Sequence, residues 1–315
     1  MSQQQEEGLV IKAVSGFYTV ETAHGFVVCQ VPGRLKRQRQ NTDLVTVGDR
    51  VTFTLNADGT GLIEKVADRH SVLSRTRTAA GNRQLSADKE QVLIANPDQL
   101  IFVMAMVTPS PSLRMLDRFL VVAEMNDLPA IVCVNKIDLV NQDDAHAMFT
   151  VYEKIGYPVL YTSTKTGQGI EALRDLLKGK ISVLSGSSGV GKSSLLNAIQ
   201  PGLGLKVHTV SEATGKGLHT TRYAEMFPLP EGGYVADTPG IRGLALFDIE
   251  PTELDAYFRE IAPLVSDCPF SDCTHRHEPG CAVIAAVKRG EVAAERYDSY
   301  LRLRDEHEAL ERDEY

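Results

Sequence analysis

The residues Gly186-Ser187-Ser188-Gly189-Val190-Gly191-Lys192-Ser193 follow the G-x-x-x-x-G-K-[ST] spacing of a phosphate-binding loop, with Ser194 next in the chain. Glycines at those places let the backbone wrap a phosphate, so that N–H groups and the start of the following helix face its charge. In such a loop Lys192 reaches toward the β- and γ-phosphates, and the Ser193 hydroxyl ligates Mg²⁺. A phosphate loop does not by itself distinguish ATP from GTP. That choice falls to Asn135-Lys136-Ile137-Asp138. A carboxylate at Asp138 accepts from both N1–H and the 2-amino group of guanine, a donor pair that adenine lacks. Asn135 is expected at the other edge of the ring and the Lys136 stem over its face. Tyr161-Thr162-Ser163-Thr164-Lys165 has the make-up of a short loop that would bring Ser163 beside the base.

Asp237-Thr238-Pro239-Gly240 fits an Asp-x-x-Gly loop, in which Asp237 holds the Mg²⁺ shell and the Gly240 N–H senses the γ-phosphate. The glycine-rich stretch from Thr214 to Arg222 lies between the two phosphate motifs and reads as a switch loop. Its Thr221, or the neighbouring Thr220, is the expected second hydroxyl on Mg²⁺, beside Ser193 and Asp237. The order of the pieces is rotated. G proteins ordinarily begin with the phosphate loop and end with the Asn-Lys-x-Asp and Ser loops, whereas here those last two come first. Cutting the usual domain after Asp-x-x-Gly and joining its old ends gives this arrangement, with Gln99–Ala105 as the strand that would normally follow the cut. After Asp-x-x-Gly, Ras-like enzymes carry a glutamine that orients the attacking water. Ile241 stands there instead and cannot hydrogen-bond to water. Unaided hydrolysis is therefore expected to be slow, and His219 in the switch loop is the local candidate to act with Lys192 and Thr221.

Five cysteines are present, and Cys268-x₄-Cys273-x-His275-x₅-Cys281 gathers three of them with an imidazole. Disulfides are rare in a reducing cytosol, so the cluster reads as a Cys₃His zinc set, structural because protein fills all four positions. His277 is the reserve ligand. Cys29 and Cys133 lie in apolar runs and read as core residues.

The net charge of −8 is unevenly spread: Val31–Glu90 holds 11 Lys/Arg against 7 Asp/Glu, while Glu291 to the end holds 9 acids against 4 bases. Local sign governs docking. Arg34, Lys36, Arg37 and Arg39 follow a Pro32-Gly33 turn and are candidate phosphate contacts on RNA, with Arg75, Arg77 and Arg83 extending the patch. Aromatic residues are sparse there, which favours backbone over base reading.

These residues need elements to hold them. Residues 8–70 read as short strands of a small closed barrel, OB-fold or SH3-like, including Leu9–Val14, Phe17–Thr22, Phe26–Val31 and Val51–Leu55. A polar, Arg-rich connector, Asp68 to Glu90, follows. Strands at Gln99–Ala105, Ala130–Val134, Val159–Thr162 and Ile181–Ser185 then alternate with helices at Ser112–Asn126, Asp144–Ile155, Gly169–Lys178 and Ser193–Ile199. That alternation predicts a mostly parallel sheet with its chemistry at the strands' C-terminal ends. A charged helix ends the chain. The expected architecture is multidomain: an N-terminal OB-fold-like barrel (1–70), a central circularly permuted P-loop α/β GTPase domain (71–246) and a C-terminal helical zinc-binding module (247–315). No stretch has signal-peptide character or the roughly 20 apolar residues of a membrane span, so a soluble cytoplasmic protein without a membrane partner is expected.

On these motifs the whole length resembles the RsgA family, also called the YjeQ/YloQ family: circularly permuted GTPases stimulated by the small ribosomal subunit. The resemblance implies an OB-fold that contacts ribosomal RNA, a C-terminal zinc domain and a late role in small-subunit maturation. It points to His219 in catalysis as well. The implied ligands are GTP/GDP, Mg²⁺ and one structural Zn²⁺. The implied partner is the 30S subunit with its 16S rRNA, bound by a monomer. An RNA-binding scaffold with a vestigial nucleotide site is a different reading, disfavoured because Lys192, Ser193, Asp237 and Asp138 are intact. A permuted GTPase with another client is a third. Because Asp237–Gly240 leads straight into the C-terminal module, nucleotide state is expected to be coupled to that module and to release from the subunit.

Overall fold

Alternating apolar residues close the first five strands on themselves. In the computed structural model, which describes residues 5–33, 44–77, 89–201, 225–237 and 250–314, these are β1 (Gln5–Val14), β2 (Phe17–Thr22), β3 (Gly25–Gln30), β4 (Arg50–Leu55) and β5 (Gly61–Val66). They pair in the order β1-β2-β3-β5-β4, with β4 returning to β1 and β3 parallel to β5. This is the five-stranded closed barrel of an OB-fold. Its interior is Val10, Val20, Cys29, Val51, Phe53 and Ile63. Burial pushes the thiols of Cys29 and Cys133 up to about 11, as suits inert core residues.

The described part of the Arg-rich connector is not all loop: it holds β6 (Val72–Arg77) and ends where β7 (Lys89–Ala95) begins, and the two strands pair antiparallel as a separate ribbon. Leu73, Val92 and Ile94 supply its buried face.

The remaining strands are β8 (Gln99–Ala105), β9 (Ala130–Asn135), β10 (Val159–Tyr161), β11 (Ile181–Ser185), β12 (Glu225–Pro228) and β13 (Tyr234–Asp237). They lie in the order β10-β9-β8-β11-β13-β12, all parallel except β12. β8 is buried along its whole length. Leu100, Phe102 and Met104 point to one hydrophobic layer, Ile101, Val103 and Ala105 to the other. The first layer is covered by the helices Leu113–Met125 and Gln142–Lys154, the second by Ile170–Leu177 and Lys192–Ile199. Ser112 and Asn141 cap the first two helices through their side chains, so the second starts at Gln142, two residues before the expected Asp144. The barrel joins this sheet edge to edge: Lys12 on β1 pairs with Glu225 on β12, and their side chains form an ion pair at 2.8 Å.

The C-terminal module contributes 3₁₀ turns at Leu254–Tyr257 and Ala262–Asp267 and helices Ala282–Arg289 and Ala294–Glu314. It docks on helix Leu113–Met125. Among the described residues no helix is long and apolar enough to cross a membrane.

Candidate functional site

The strand ends bring together motifs that are distant in the chain. β11 delivers Gly186–Gly191, and helix Lys192–Ile199 starts at the end of that loop. β9 delivers Asn135–Asp138, β10 delivers Thr162 and Ser163, and β13 ends at Asp237, whose backbone pairs with Leu184 and Glu225.

Within this cluster Asn135 is a strut. It is almost completely buried; its amide nitrogen donates to the Val190 carbonyl at 2.9 Å, and its amide oxygen accepts from the Thr162 hydroxyl at 3.2 Å. The residue expected at the base edge therefore spends part of its hydrogen bonding on tying the guanine motif to the phosphate loop. Lys136, in a left-handed backbone conformation (φ 62°), donates from Nζ to Gly189 O at 2.6 Å and Thr108 O at 2.5 Å. Burial holds its pKa below the usual lysine value. The Ser163 hydroxyl donates to Asp138 Oδ1 at 2.6 Å and accepts from the backbone N–H groups of Lys165 and Thr166, each at 3.2 Å. Ser163 thus aims the carboxylate.

Two glycines are fixed by contacts. At Gly186 (φ 150°) a Cβ would lie 2.2 Å from Val103 O, and at Gly191 (φ 101°) it would lie 2.3 Å from Asn135 Nδ2. The second is the more telling, because it shows the loop and the guanine motif in van der Waals contact. Lys192 Nζ lies against the loop carbonyls of Gly186 and Ser187, at 2.7 and 3.1 Å. A glycine-rich loop that ends in a lysine at a helix start fits a phosphate chain, with the loop's N–H groups rather than these carbonyls as its partners. Gly191→Ala is expected to push Asn135 aside and weaken binding of GDP about 5–150-fold, given a strained positive φ worth about 1–3 kcal/mol. Titration of a fluorescent GDP analogue checks this, and unchanged affinity would contradict it.

Several expected residues lie outside the described ones: His219, Thr220, Thr221, Gly240 and Ile241 around the phosphates, and Arg34, Lys36, Arg37, Arg39 and Arg83 on the RNA-binding candidate surface. A cavity of about 290 Å³ opens at the other edge of the sheet, where β8, β11 and β13 begin. Its wall includes Arg50, His70, Asp98, Lys180 and Tyr234, and it is remote from the phosphate loop.

The second site is the Cys/His cluster. The Sγ atoms of Cys268, Cys273 and Cys281 and a ring nitrogen of His275 all lie within 4.8 Å of one another. His275 turns Nδ1 toward Cys281 (3.3 Å) and Cys268 (3.6 Å), while Nε2 faces Asp255 Oδ2 at 3.1 Å. A carboxylate behind a ligating imidazole fixes the ring and its tautomer. Asp255 carried no spacing signal, since it lies on a separate 3₁₀ turn. Cys281 Sγ also accepts from Ile284 N, so it caps helix Ala282–Arg289. His277 is not part of the cluster. Three thiolates and an imidazole, mutually close and largely buried, fit a tetrahedral zinc ion.

Comparisons with known proteins agree with this layout. The family model described as RsgA GTPase matches residues 66–247, and the one described as RsgA N-terminal domain matches residues 7–63. A "Small ribosomal subunit biogenesis GTPase RsgA" from Gemmatimonas aurantiaca is 45% identical over 302 residues, covering 95% of this chain and 96% of that protein. The protein of the same name from Bacteroides fragilis is 42% identical over 308 residues, covering 96% and 97%. Among solved structures, YjeQ from Thermotoga maritima superposes with a TM-score of 0.77 at 39% identity, covering 96% of this chain and 99% of that one. YloQ, described as a circularly permuted GTPase, superposes with a TM-score of 0.74 at 34% identity, covering 98% and 96%.

Proposed function

The chain belongs to the RsgA GTPase family and is a GTPase; from that premise we propose that it hydrolyses GTP on the small ribosomal subunit during late 30S maturation. The observation that carries the nucleotide part is the 2.9 Å bond from Asn135 to Val190, which ties a guanine motif to a phosphate loop that follows it in the chain. The ribosomal part rests on the relatives' shared name.

In this reading Asp138, oriented by Ser163, selects guanine, with Asn135 and Lys136 holding the base pocket against the loop. The N–H groups of residues 186–194 and Lys192 take the phosphates. Ser193, Thr221 and Asp237 would hold Mg²⁺, which would supply positive charge to offset that developing on the phosphates. Water attacks the γ-phosphorus as the bond to the β–γ bridging oxygen breaks, and GDP departs with the electron pair. His219 orients that water once the subunit orders its loop, and the Gly240 N–H reports the γ-phosphate. One structural Zn²⁺ would be held by Cys268, Cys273, His275 and Cys281. The division into 1–70, 71–246 and 247–315 assigns rRNA contact to the barrel, through Arg34, Lys36, Arg37 and Arg39, chemistry to the middle and the zinc module to the end. The protein acts as a cytoplasmic monomer and releases the subunit as its nucleotide state changes.

Turnover of GTP with and without purified small subunits tests this. Stimulation by the subunit is expected, and no stimulation would favour the scaffold reading. His219→Ala is expected to lower the stimulated rate by about 10²–10⁴-fold with GTP affinity unchanged; full stimulated turnover in that variant would remove His219 from the mechanism.

A further inference from the structure

The covalent route from the nucleotide to the C-terminal module runs through residues 238–249, outside the described ones. A second route is visible through packed side chains. Helix Leu113–Met125 and the segment before it touch the nucleotide motifs at three places. Met106 N donates to Asn135 O at 3.3 Å, Lys136 Nζ binds Thr108 O, and the Ser187 hydroxyl lies 3.4 Å from Met115 Sδ. Two residues beyond Met115, a rise of about 3 Å, the same helix is gripped by the C-terminal module. There Asp117, 2% exposed, accepts from Arg296 Nη1 at 2.7 Å, from the Tyr152 hydroxyl at 2.8 Å and from the Ser299 hydroxyl. Arg296 is itself only 1% exposed, forks onto Glu260 at 2.6 and 3.2 Å and stacks over Phe258 at 4.6 Å. Arg259 of the module adds a bond to Glu124 near the helix's other end, at 2.7 Å.

We propose that Arg296 is a positioning residue for the nucleotide site: through Asp117 it holds helix Leu113–Met125 in register with Lys136 and the phosphate loop, so the C-terminal module sets guanine-nucleotide affinity. A buried fork with both carboxylates satisfied tolerates little sliding, because any shift leaves a desolvated charge unpaired. By linkage, nucleotide binding tightens the module by the factor that the module tightens the nucleotide. This rests on the guanine reading of the site and adds a determinant in a different domain.

The test uses the full zinc-loaded chain and N-methylanthraniloyl-GDP. Arg296→Lys keeps the charge and loses the fork; Ser299→Ala removes one module-side bond and keeps Arg296. Arg296→Lys is expected to raise the Kd about 5–20-fold and Ser299→Ala about 2–4-fold, within the usual span of coupling between sites, with zinc content and circular dichroism unchanged. Adding Arg296→Lys to Asp117→Asn is expected to weaken binding no further than Asp117→Asn does, because both act through one pair. Saturating GDP is expected to slow hydrogen exchange in helices Ala282–Arg289 and Ala294–Glu314 of the wild type. Folded variants that bind within twofold of wild type would overturn the proposal. If Arg296→Lys does not fold, Ser299→Ala and the wild-type exchange experiment decide, and exchange indifferent to GDP overturns it. Wild type that fails to bind the probe at all would instead sink the guanine reading.

Discussion

Asp138→Asn is expected to raise the dissociation constant for GDP by about 10²–10⁴-fold and to create a preference for xanthosine diphosphate. The carboxylate of Asp138, held by the Ser163 hydroxyl at 2.6 Å, would accept two hydrogen bonds from guanine. Hydrogen bonds to a charged group contribute about 1.5–3 kcal/mol each, so losing both costs about 3–6 kcal/mol. At about 1.4 kcal/mol per decade that gives the stated range. Asparagine presents an N–H where the carboxylate presented a lone pair. It meets the donor groups of guanine badly and the 2-carbonyl of xanthine well. Competition of GDP and XDP for a fluorescent analogue measures the switch. A variant that still binds GDP like wild type would remove Asp138 from base recognition.

Cys281→Ala is expected to cost the zinc ion and the fold of the C-terminal module together. Cys281 is a ligand candidate and the N-cap of helix Ala282–Arg289 at once. Structural zinc sites bind with about 10–16 kcal/mol of apparent free energy, which exceeds what a module of this size can hold from its core. Zinc content is expected to fall from one ion per chain to none, and fast hydrogen exchange is expected across Ala282–Glu314. Removing the ion from wild type with a strong chelator should do the same, reversibly on adding zinc back. Unaltered protection in metal-free protein would show that the thiols are only a small core.

The parts of this molecule that were legible in its sequence are those where local chemistry and local geometry coincide. The phosphate loop needs glycine at fixed places, Gly186 and Gly191 among them, because neighbouring backbone or amide groups leave no room for a Cβ. Strands such as β8 and β9 read as apolar runs because both faces are covered. The helix expected from Ser112 to Asn126 is found at Leu113–Met125, with Ser112 as its N-cap, because its apolar face recurs at helical spacing.

What stayed hidden depends on partners far away in the chain. β6 lies in what looked like a polar connector: its strand character rests on pairing with β7 and on burial of Leu73 against Val92 and Ile94, which its own composition does not announce. β12 is four residues long and is defined by its pairing with β13 and β1 rather than by its own pattern. The last helix read as a charged one, yet Arg296 and Arg304 are among its buried residues: Asp117 and Glu260 on other elements receive Arg296, and Tyr300 and Glu308, one turn away on the same helix, receive Arg304. Asp117 is buried on the helix Leu113–Met125 for the same reason, and nothing in its local sequence marks it. No periodicity argument locates a buried ion pair whose members are 179 residues apart.

Guanine selection requires that the rotated motifs make one pocket. Displacement of N-methylanthraniloyl-GDP by unlabelled GDP and by ADP, with Mg²⁺ present, measures that directly. GDP is expected to displace the probe at concentrations about 10³-fold or more below those of ADP, as befits a site built around a specific donor pair. Equal displacement by ADP would contradict it.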